Sequence, residues 1–303
     1  MQKYTDEELD KMYQEEIGQR RRGLMMILKA VGIYWGGRII LGLVYLTFGR
    51  IIGTLGFFAL IYVLVIYCKK NLHLKKLFGS MDVLHNQLIP DCVQDMFGEE
   101  AVYVKKEGIP SAGIKSSHLV GKSWNTYYGK NLVKGTYKDL SFSLSDVTLI
   151  NHSEHEDSDG NTQDHDVTVF AGQWAVLDFG KPFSTNLIVR ERGEKLFDKW
   201  ADGKSTVEME DVEFNKKFIV IAEDAHNAFY LLTPQMMEHI IQAEKRFKGR
   251  IYFCFMDGKI HIAIDNRKSI FEGIAMMNGA AAERKRIKDR LSLIPELVEQ
   301  MNL

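Results

Sequence analysis

Apolar positions fall into three regimes along the chain. Residues 23–68 are apolar almost without interruption, with Lys29, Arg38 and Arg50 as the charges among them. Residues 51–68 carry no charge, and a run of about 17–25 apolar residues spans a bilayer as an α-helix. Leu24 to Leu46 is long enough for another span, although Arg38 lies beyond its middle, where a charge costs about 2.5–3.5 kcal/mol on insertion scales. Phe48-Gly49-Arg50 reads as a tight turn, so 23–68 is expected to form a two-helix transmembrane hairpin. The tract is too long for a secretory signal peptide and lacks a small-residue cleavage site. A pair of buried core helices is the alternative. Small-xxx-small spacings at Gly32/Gly36 and Gly49/Gly53 offer places for close helix approach.

The flanks are polar. Residues 1–22 predict a helix with Thr5 as N-cap and acids in its first turn. Residues 69–97 predict a linking helix with Leu72, Leu77, Met81, Leu84 and Leu88 on its apolar side, kinked or ended by Pro90.

From 98 to 275 the period shortens to that of strands. SFSLSDVTLI (141–150) places Phe142 and Leu144 on one face and then slips to Val147 and Leu149, which predicts a bulge near Asp146. Residues 166–183 and 216–224 are β-branched and aromatic, and 250–265 reads as a hairpin with a type I′ turn at Asp257-Gly258. Thr233-Pro234 supplies an N-cap and first position for a helix that Gly249 closes. Acidic EMEDVEFNKK (208–217) reads as a solvated turn. In the last segment, 276–303, Ile287, Leu291, Ile294, Val298 and Met301 form one stripe of an amphipathic helix bent at Pro295. That stripe is expected to dock within the protein or on another copy. Arg284, Lys285, Lys288 and Arg290 lie outside it and would attract an anionic leaflet. The fold class is therefore α+β: a transmembrane helical hairpin followed by a cytoplasmic antiparallel-sheet domain with interspersed helices.

Charge orients this arrangement. Arg20, Arg21 and Arg22 precede the apolar tract, and Lys69, Lys70, Lys75 and Lys76 follow it. Basic flanks favour the cytoplasmic side, so two spans with both termini cytoplasmic satisfy the rule in a cell membrane. A formal net charge of -1 gives no reason to expect nucleic acid as a partner. With 303 residues and 46% apolar content the chain can bury a core. Cys68, Cys92 and Cys254 stand far apart with no CxxC, as expected of small buried hydrophobes in a reducing compartment.

Candidate chemistry concentrates in HSEHEDSDGNTQDHD (152–166). His152, His155, Asp157 and His165 are the candidate metal ligands. A calcium loop counted from Asp157 fails, because Thr162 and Thr168 stand where glycine and glutamate are needed. Asp159-Gly160-Asn161 tolerates tight turns, so the stretch reads first as the solvated tip of a β-hairpin. Asp224 and His226 form a candidate acid–base pair, or a capped strand-to-helix corner. Phosphate-loop, GxGxxG, GxSxG and HExxH signatures are absent, so no cofactor is expected.

Four blocks then carry a resemblance: YYGKNLVKGTYKDLSFSLSDVTL, VFAGQWAVLDFGKPF, EDVEFNKKFIVIAEDAHNAFYLLTPQMMEHII and IYFCFMDGKIHIAI. In that order they resemble a bacterial membrane-anchored group, domain-of-unknown-function family three-one-three-seven, from about Leu72 to Phe271. Phe170, Gly172 and the LLTP helix start carry it most clearly. Tyr128-Gly129-Lys130-Asn131 departs from the Gly-Glu-Asp that such proteins often show. The resemblance implies a membrane-anchored cytoplasmic domain and brings no activity or catalytic residues. The expected function is a membrane-tethered interaction or scaffold module, with the lipid bilayer and a protein partner or second copy as its contacts. The alternative is a metal-dependent hydrolase or other enzyme using the 152–166 loop or Asp224/His226.

Overall fold

The computed structural model describes residues 4–48, 56, 58–62, 65–66, 84–156, 162–178, 186–193, 205–272 and 279–301. They form two compact units, Met1–Leu88 with Met276–Ala281, and Ile89–Ala275 with Ala282–Leu303.

In the first unit, helix α1 (Asp6–Phe48) runs for 43 residues, about 65 Å at 1.5 Å per residue. It opens with a reciprocal cap. Thr5 Oγ1 accepts from the Glu8 amide at 3.3 Å, and Glu8 Oε2 accepts from the Thr5 amide at 2.8 Å. Asp6, Glu7 and Glu8 stand at the positive end of the helix dipole. The expected border at residue 22 is not a break: the polar helix and the apolar stretch are one element.

Among the described residues, α1 is long and apolar enough to cross a membrane, and 6% of its most apolar window is buried. Leu28, Trp35, Ile39 and Ile40 are exposed. Arg38 finds a partner on its own helix: its Nη1 donates to the Tyr34 hydroxyl at 3.4 Å, and the guanidinium lies 5.9 Å from that ring's centre. Most of the expected second span, and the Gly49-Arg50 turn, lie outside the described residues. Residues 58–62 and 65–66 are helical, and a Cβ added at Gly37 would meet Leu60 Cδ1 at 2.5 Å. Gly32 and Gly36 face open space, so the close approach falls one residue past the expected spacing.

The second unit begins at Ile89, ahead of the expected border at 98, because α2 (Ile89–Phe97) is part of its core. A π-helical turn, Leu84–Leu88, runs without a gap into α2, and Pro90 stands at the second position of α2, just past the change of helix type, in keeping with the expected kink. Phe97 packs edge-on against Phe142 with ring centres 4.7 Å apart.

The described strands form one antiparallel sheet: β1 (Val102–Val104), β2 (Thr126–Tyr137), β3 (Leu140–Glu156), β4 (Thr162–Asp178), β5 (Leu187–Glu191), β6 (Ser205–Val207), β7 (Phe218–Ala222), β8 (Arg250–Met256) and β9 (Lys259–Asp265). Their spatial order is β1-β2-β3-β4-β9-β8-β5-β7-β6. The helices between them are α3 (Ser111–Ser117), α4 (Val212–Lys217), α5 (Ala225–Leu231) and α6 (Pro234–Arg246), with α7 (Ala280–Leu291) and α8 (Leu293–Met301) at the end. The α+β class is thus observed.

Both sheet faces are covered. On one, Val147, Phe170, Trp174, Tyr252 and Cys254 form a cluster with Ile114 of α3 and Leu119. Alternate positions, Phe253, Phe255, Ile260 and Ile262, are buried on the opposite side of the same strands. A strand buried on both faces reads as a continuous apolar run, as RIYFCFM does.

β3 keeps its alternation against β4 from Phe142 to Leu149, so its apolar residues change face rather than slip, and the irregularity near Asp146 lies in the partner strand. Lys130 pairs with Asp146 and Val133 with Leu144, so Asn131 and Leu132 together oppose Ser145. Asn131 adopts φ 58 to make the excursion. Asp257 and Gly258 have φ 52 and 71, both positive as a type I′ turn requires. Thr233 caps α6 through Met236 N–H at 3.2 Å. That helix ends at Phe247, and Gly249 (φ 113) lies beyond it against the Asp265 carbonyl. EMEDVEFNKK is not a mere solvated turn. Asp211 caps α4, whose Phe214 is fully buried.

Ile287, Leu291, Ile294, Val298 and Met301 are all buried, so the terminal stripe docks within the protein. The break falls at Ser292 rather than at Pro295, which becomes the third residue of α8, where no amide bond is lost. Arg284 lies 3.5 Å from Asp91, and Lys288 3.1 Å from Asp95, of α2. Two of the basic residues expected to meet a leaflet are thus held in ion pairs.

Candidate functional site

Beyond the sheet, β3 and β4 continue as a two-stranded ribbon. The last β2 pair is Thr126–Ile150 and the last β9 pair is Asp265–Gly172, whereas β3 and β4 pair on to Glu156–Thr162. Asn125 clamps the base of the ribbon, donating to the His152 carbonyl at 2.6 Å and accepting from the His152 amide at 2.9 Å. The hairpin expected for 152–166 is therefore observed, and residues 157–161 lie outside the described residues, Asp157 with them.

Strand alternation splits the proposed ligand set. His152 pairs with Asp166 and Glu154 with Asp164 on one side, while Ser153 pairs with His165 on the other. His155 pairs with Gln163 in the same odd-numbered register as His165. His152 and His165 therefore lie on opposite sides of the ribbon, and the side chain of His155 lies outside what is described. The side chains that do converge are His152, Glu154 and Asp164, whose ligand atoms lie within 4.8 Å of one another. His152 Nδ1 lies 2.6 Å from Asp166 Oδ1, which fixes the ring as a carboxylate fixes many metal-ligating histidines. That hydrogen bond, with the charges of Asp166, Asp164 and Glu154, holds the imidazole above its ordinary pKa. All four groups are largely or partly exposed, and protonated His152 in this acidic patch is an ion pair as it stands.

Asp224 and His226 do not form an acid–base pair through their side chains. Asp224 Oδ1 accepts from the His226 amide at 3.0 Å as the N-cap of α5. The corner is structural.

A third site was not visible in the sequence. An open cleft of about 520 Å³ lies between the C-terminal end of α6, the 266–270 loop after β9 and the α7–α8 junction. Its floor is built from a buried polar network. Gln173 Nε2 donates to the Lys268 carbonyl and its Oε1 accepts from Asn266 Nδ2, both at 2.6 Å. Beneath the same loop, Asp146 accepts from Asn131 Nδ2 at 2.7 Å, from the Ile270 amide at 2.7 Å and from the Ser269 hydroxyl. Gly249 completes the wall, where a Cβ would meet the Asp265 carbonyl oxygen at 2.6 Å.

Arg246 spans the cleft mouth to Glu296 through two bonds of 2.9 and 3.1 Å. Among the described residues, the side chains of Lys248, Lys268, Asp289 and Arg290 in the lining have no ion pair. KRFKGR (245–250) and NRK (266–268) are the local basic signals, but they lie in separate segments and only the fold joins them.

Fold and sites together define a class: an antiparallel α+β domain, covered on both faces, in a chain that also carries a long apolar N-terminal helix. Residues 168–303 match the model of a family described as "Protein of unknown function (DUF3137)". The family resemblance read from the sequence holds over that segment. It runs from β4 through the terminal helices, so it takes in the whole cleft lining and leaves out the YYGKNLVKGTYKDL block. No curated protein matches the chain. Among solved structures, the crystal structure of the mycobacterial trehalose monomycolate transport factor A, TtfA, is similar with a TM-score of 0.37 and 8% identity, covering 67% of this chain and 92% of that one.

Proposed function

We propose that the protein is a membrane-anchored interaction module. Two spans hold both termini and the α+β domain at the cytoplasmic face, and the β3–β4 ribbon contacts a protein partner. Gly37 against Leu60 supports helices paired within the bilayer, and basic residues on both flanks support an even number of spans. The observation that carries the binding role is the ribbon. It projects past its neighbouring strands, and the described residues 164–168 are exposed without exception. Its acids, Glu154, Asp164 and Asp166, fit a basic partner surface.

Catalysis is disfavoured by the same geometry. Asp224 is a cap. The cleft hydroxyls are committed as donors, Ser269 to Asp146 and Ser292 to Glu296 at 2.9 Å, with no histidine among the described lining residues.

The test replaces residues 153–164 by Asn-Gly in the full-length chain. Melting in detergent should be unchanged, because loop-closure entropy varies slowly with length and the tip buries little. Partners crosslinked in native membranes should be lost. An unchanged partner set, or a large fall in melting temperature, would contradict the reading.

One observation favours a second reading, a metal-dependent hydrolase at the ribbon: the convergence of His152, Glu154 and Asp164. It requires stoichiometric zinc or another divalent ion in the purified protein, lost in His152→Ala and Asp164→Ala.

A further inference from the structure

We infer that the cleft between α6, the 266–270 loop and the α7–α8 junction binds a phosphate monoester. This site is separate from the ribbon and stands or falls without it.

The size is suitable. A volume of about 520 Å³ lies within the roughly 300–1,000 Å³ range of small-molecule sites. The cleft is also pre-formed rather than assembled from mobile side chains. Gln173 and Asn266 fasten the 266–270 loop from below, and Arg267 N–H adds a bond to the Ala171 carbonyl at 2.8 Å. Gly249 sits where any side chain would collide with the Asp265 carbonyl and Asn266. A floor held in this way keeps its ligand from having to order the loop on binding.

Charge selects the ligand class. Elsewhere among the described residues of this unit Lys217 pairs with Glu244, Arg284 with Asp91 and Lys288 with Asp95, while Lys115 and Lys130 stand singly on the surface; the cleft differs in gathering several cations around one concavity. At the cleft, Arg246 and Glu296 neutralise each other. Lys248, Lys268 and Arg290 remain without an ion pair among the described residues, against the single unpaired carboxylate of Asp289. Two positive charges are left over. A phosphate monoester carries about −1.5 to −2 at neutral pH, with three acceptor oxygens for ammonium and guanidinium donors. A monocarboxylate or phosphodiester, with one negative charge, would leave the cleft positive, and a dicarboxylate divides its two charges between separate groups. The apolar side chains of Ile264, Ile270 and Leu293 in the lining give a small organic body something to rest on.

The same headgroup chemistry occurs free in water, as in glycerol 3-phosphate, and on a membrane, as in phosphatidic acid. The experiment separates them. Full-length protein in detergent micelles is titrated with glycerol 3-phosphate, and protein in nanodiscs is compared with phosphatidic acid or phosphatidylglycerol as the anionic lipid. Lys248→Gln/Lys268→Gln/Arg290→Gln is run beside Lys115→Gln/Lys130→Gln, which removes charges from the α3 and β2 region instead.

Saturable binding of glycerol 3-phosphate, weakened at least tenfold in the cleft variant and not in the control, supports the site with a soluble ligand. Binding seen only with phosphatidic acid, and lost in the cleft variant, supports it with a lipid headgroup. No saturable binding in either arm, equal loss in the two variants, or equal response to phosphatidylglycerol overturns it. All changed residues are exposed, and melting without ligand confirms that each variant folds. Release of inorganic phosphate from glycerol 3-phosphate would leave the site standing while contradicting the non-catalytic reading above.

Discussion

His261 is 5% exposed on β9, and its Nδ1 accepts a hydrogen bond from Trp174 Nε1 at 3.3 Å. Burial first, and Lys259 second, hold its pKa down at about 4, against a small opposing pull from Asp257. The unfolded chain takes up a proton near pH 6.5, so between that value and about 4 it binds a proton that the folded chain refuses. The stabilisation is complete above about pH 6.5 and is lost as pH falls towards 4, a change of roughly 3 kcal/mol. Urea melts of full-length protein should therefore show a shallower acid limb over that interval for His261→Gln. An identical limb would contradict the assignment. Asp146 is the other decisive residue. Asp146→Ala leaves Asn131, Ser269 and the Ile270 amide without their acceptor and should cost about 3 kcal/mol, read as a lower urea midpoint. The change of apolar face at Asp146 was legible in the sequence, from Phe142 and Leu144 before it and Val147 and Leu149 after it, but it reflects a strand buried on both sides rather than a slip. The role of Asp146 was not legible, because the donors it serves lie at 131 and at 269–270. The cleft was hidden for the same reason.

Elements with a clear period were read well. Thr5 and Thr233 caps, the Asp257-Gly258 turn and the terminal stripe each follow from local chemistry. β5 and β6 were missed because five and three residues leave no room for a pattern. β2 was missed as an element because its bulge at Asn131–Leu132 interrupts the alternation. The stripe carries its own prediction. Leu291 is fully buried, so Leu291→Asp should lower the melting temperature of the purified full-length protein in the absence of anionic lipid. A variant that melts normally and differs only in binding anionic vesicles would mean that α7 and α8 serve the membrane rather than the fold. The ribbon shows the limit of pattern at this scale. Its strands were recognised from the turn residues between them, yet which side chains meet across it depends on register, and register placed Glu154 and Asp164, not His165, beside His152.

At the scale of the whole chain, everything rests on how the apolar tract meets the membrane. The first half of that tract is legible both ways, as an unbroken run in the sequence and as an exposed apolar face on α1. The second half rests on composition, on the helical residues 58–62 and on the contact of Leu60 with Gly37. In the proposed two-span anchor both ends of the chain, the ribbon and the cleft would lie in the cytoplasm, whereas one span would put residues 69–303 on the opposite side from α1's acidic start. Accessibility of single cysteines decides between them. Gln2→Cys, Gly49→Cys and Asn302→Cys are each introduced with Cys68 replaced by serine, Cys92 and Cys254 being buried. A membrane-impermeant maleimide is then applied to intact cells. Labelling of Gly49→Cys from outside, with Gln2→Cys and Asn302→Cys reacting only after permeabilisation, is the expected result. Labelling of either terminal cysteine in intact cells would contradict the two-span anchor.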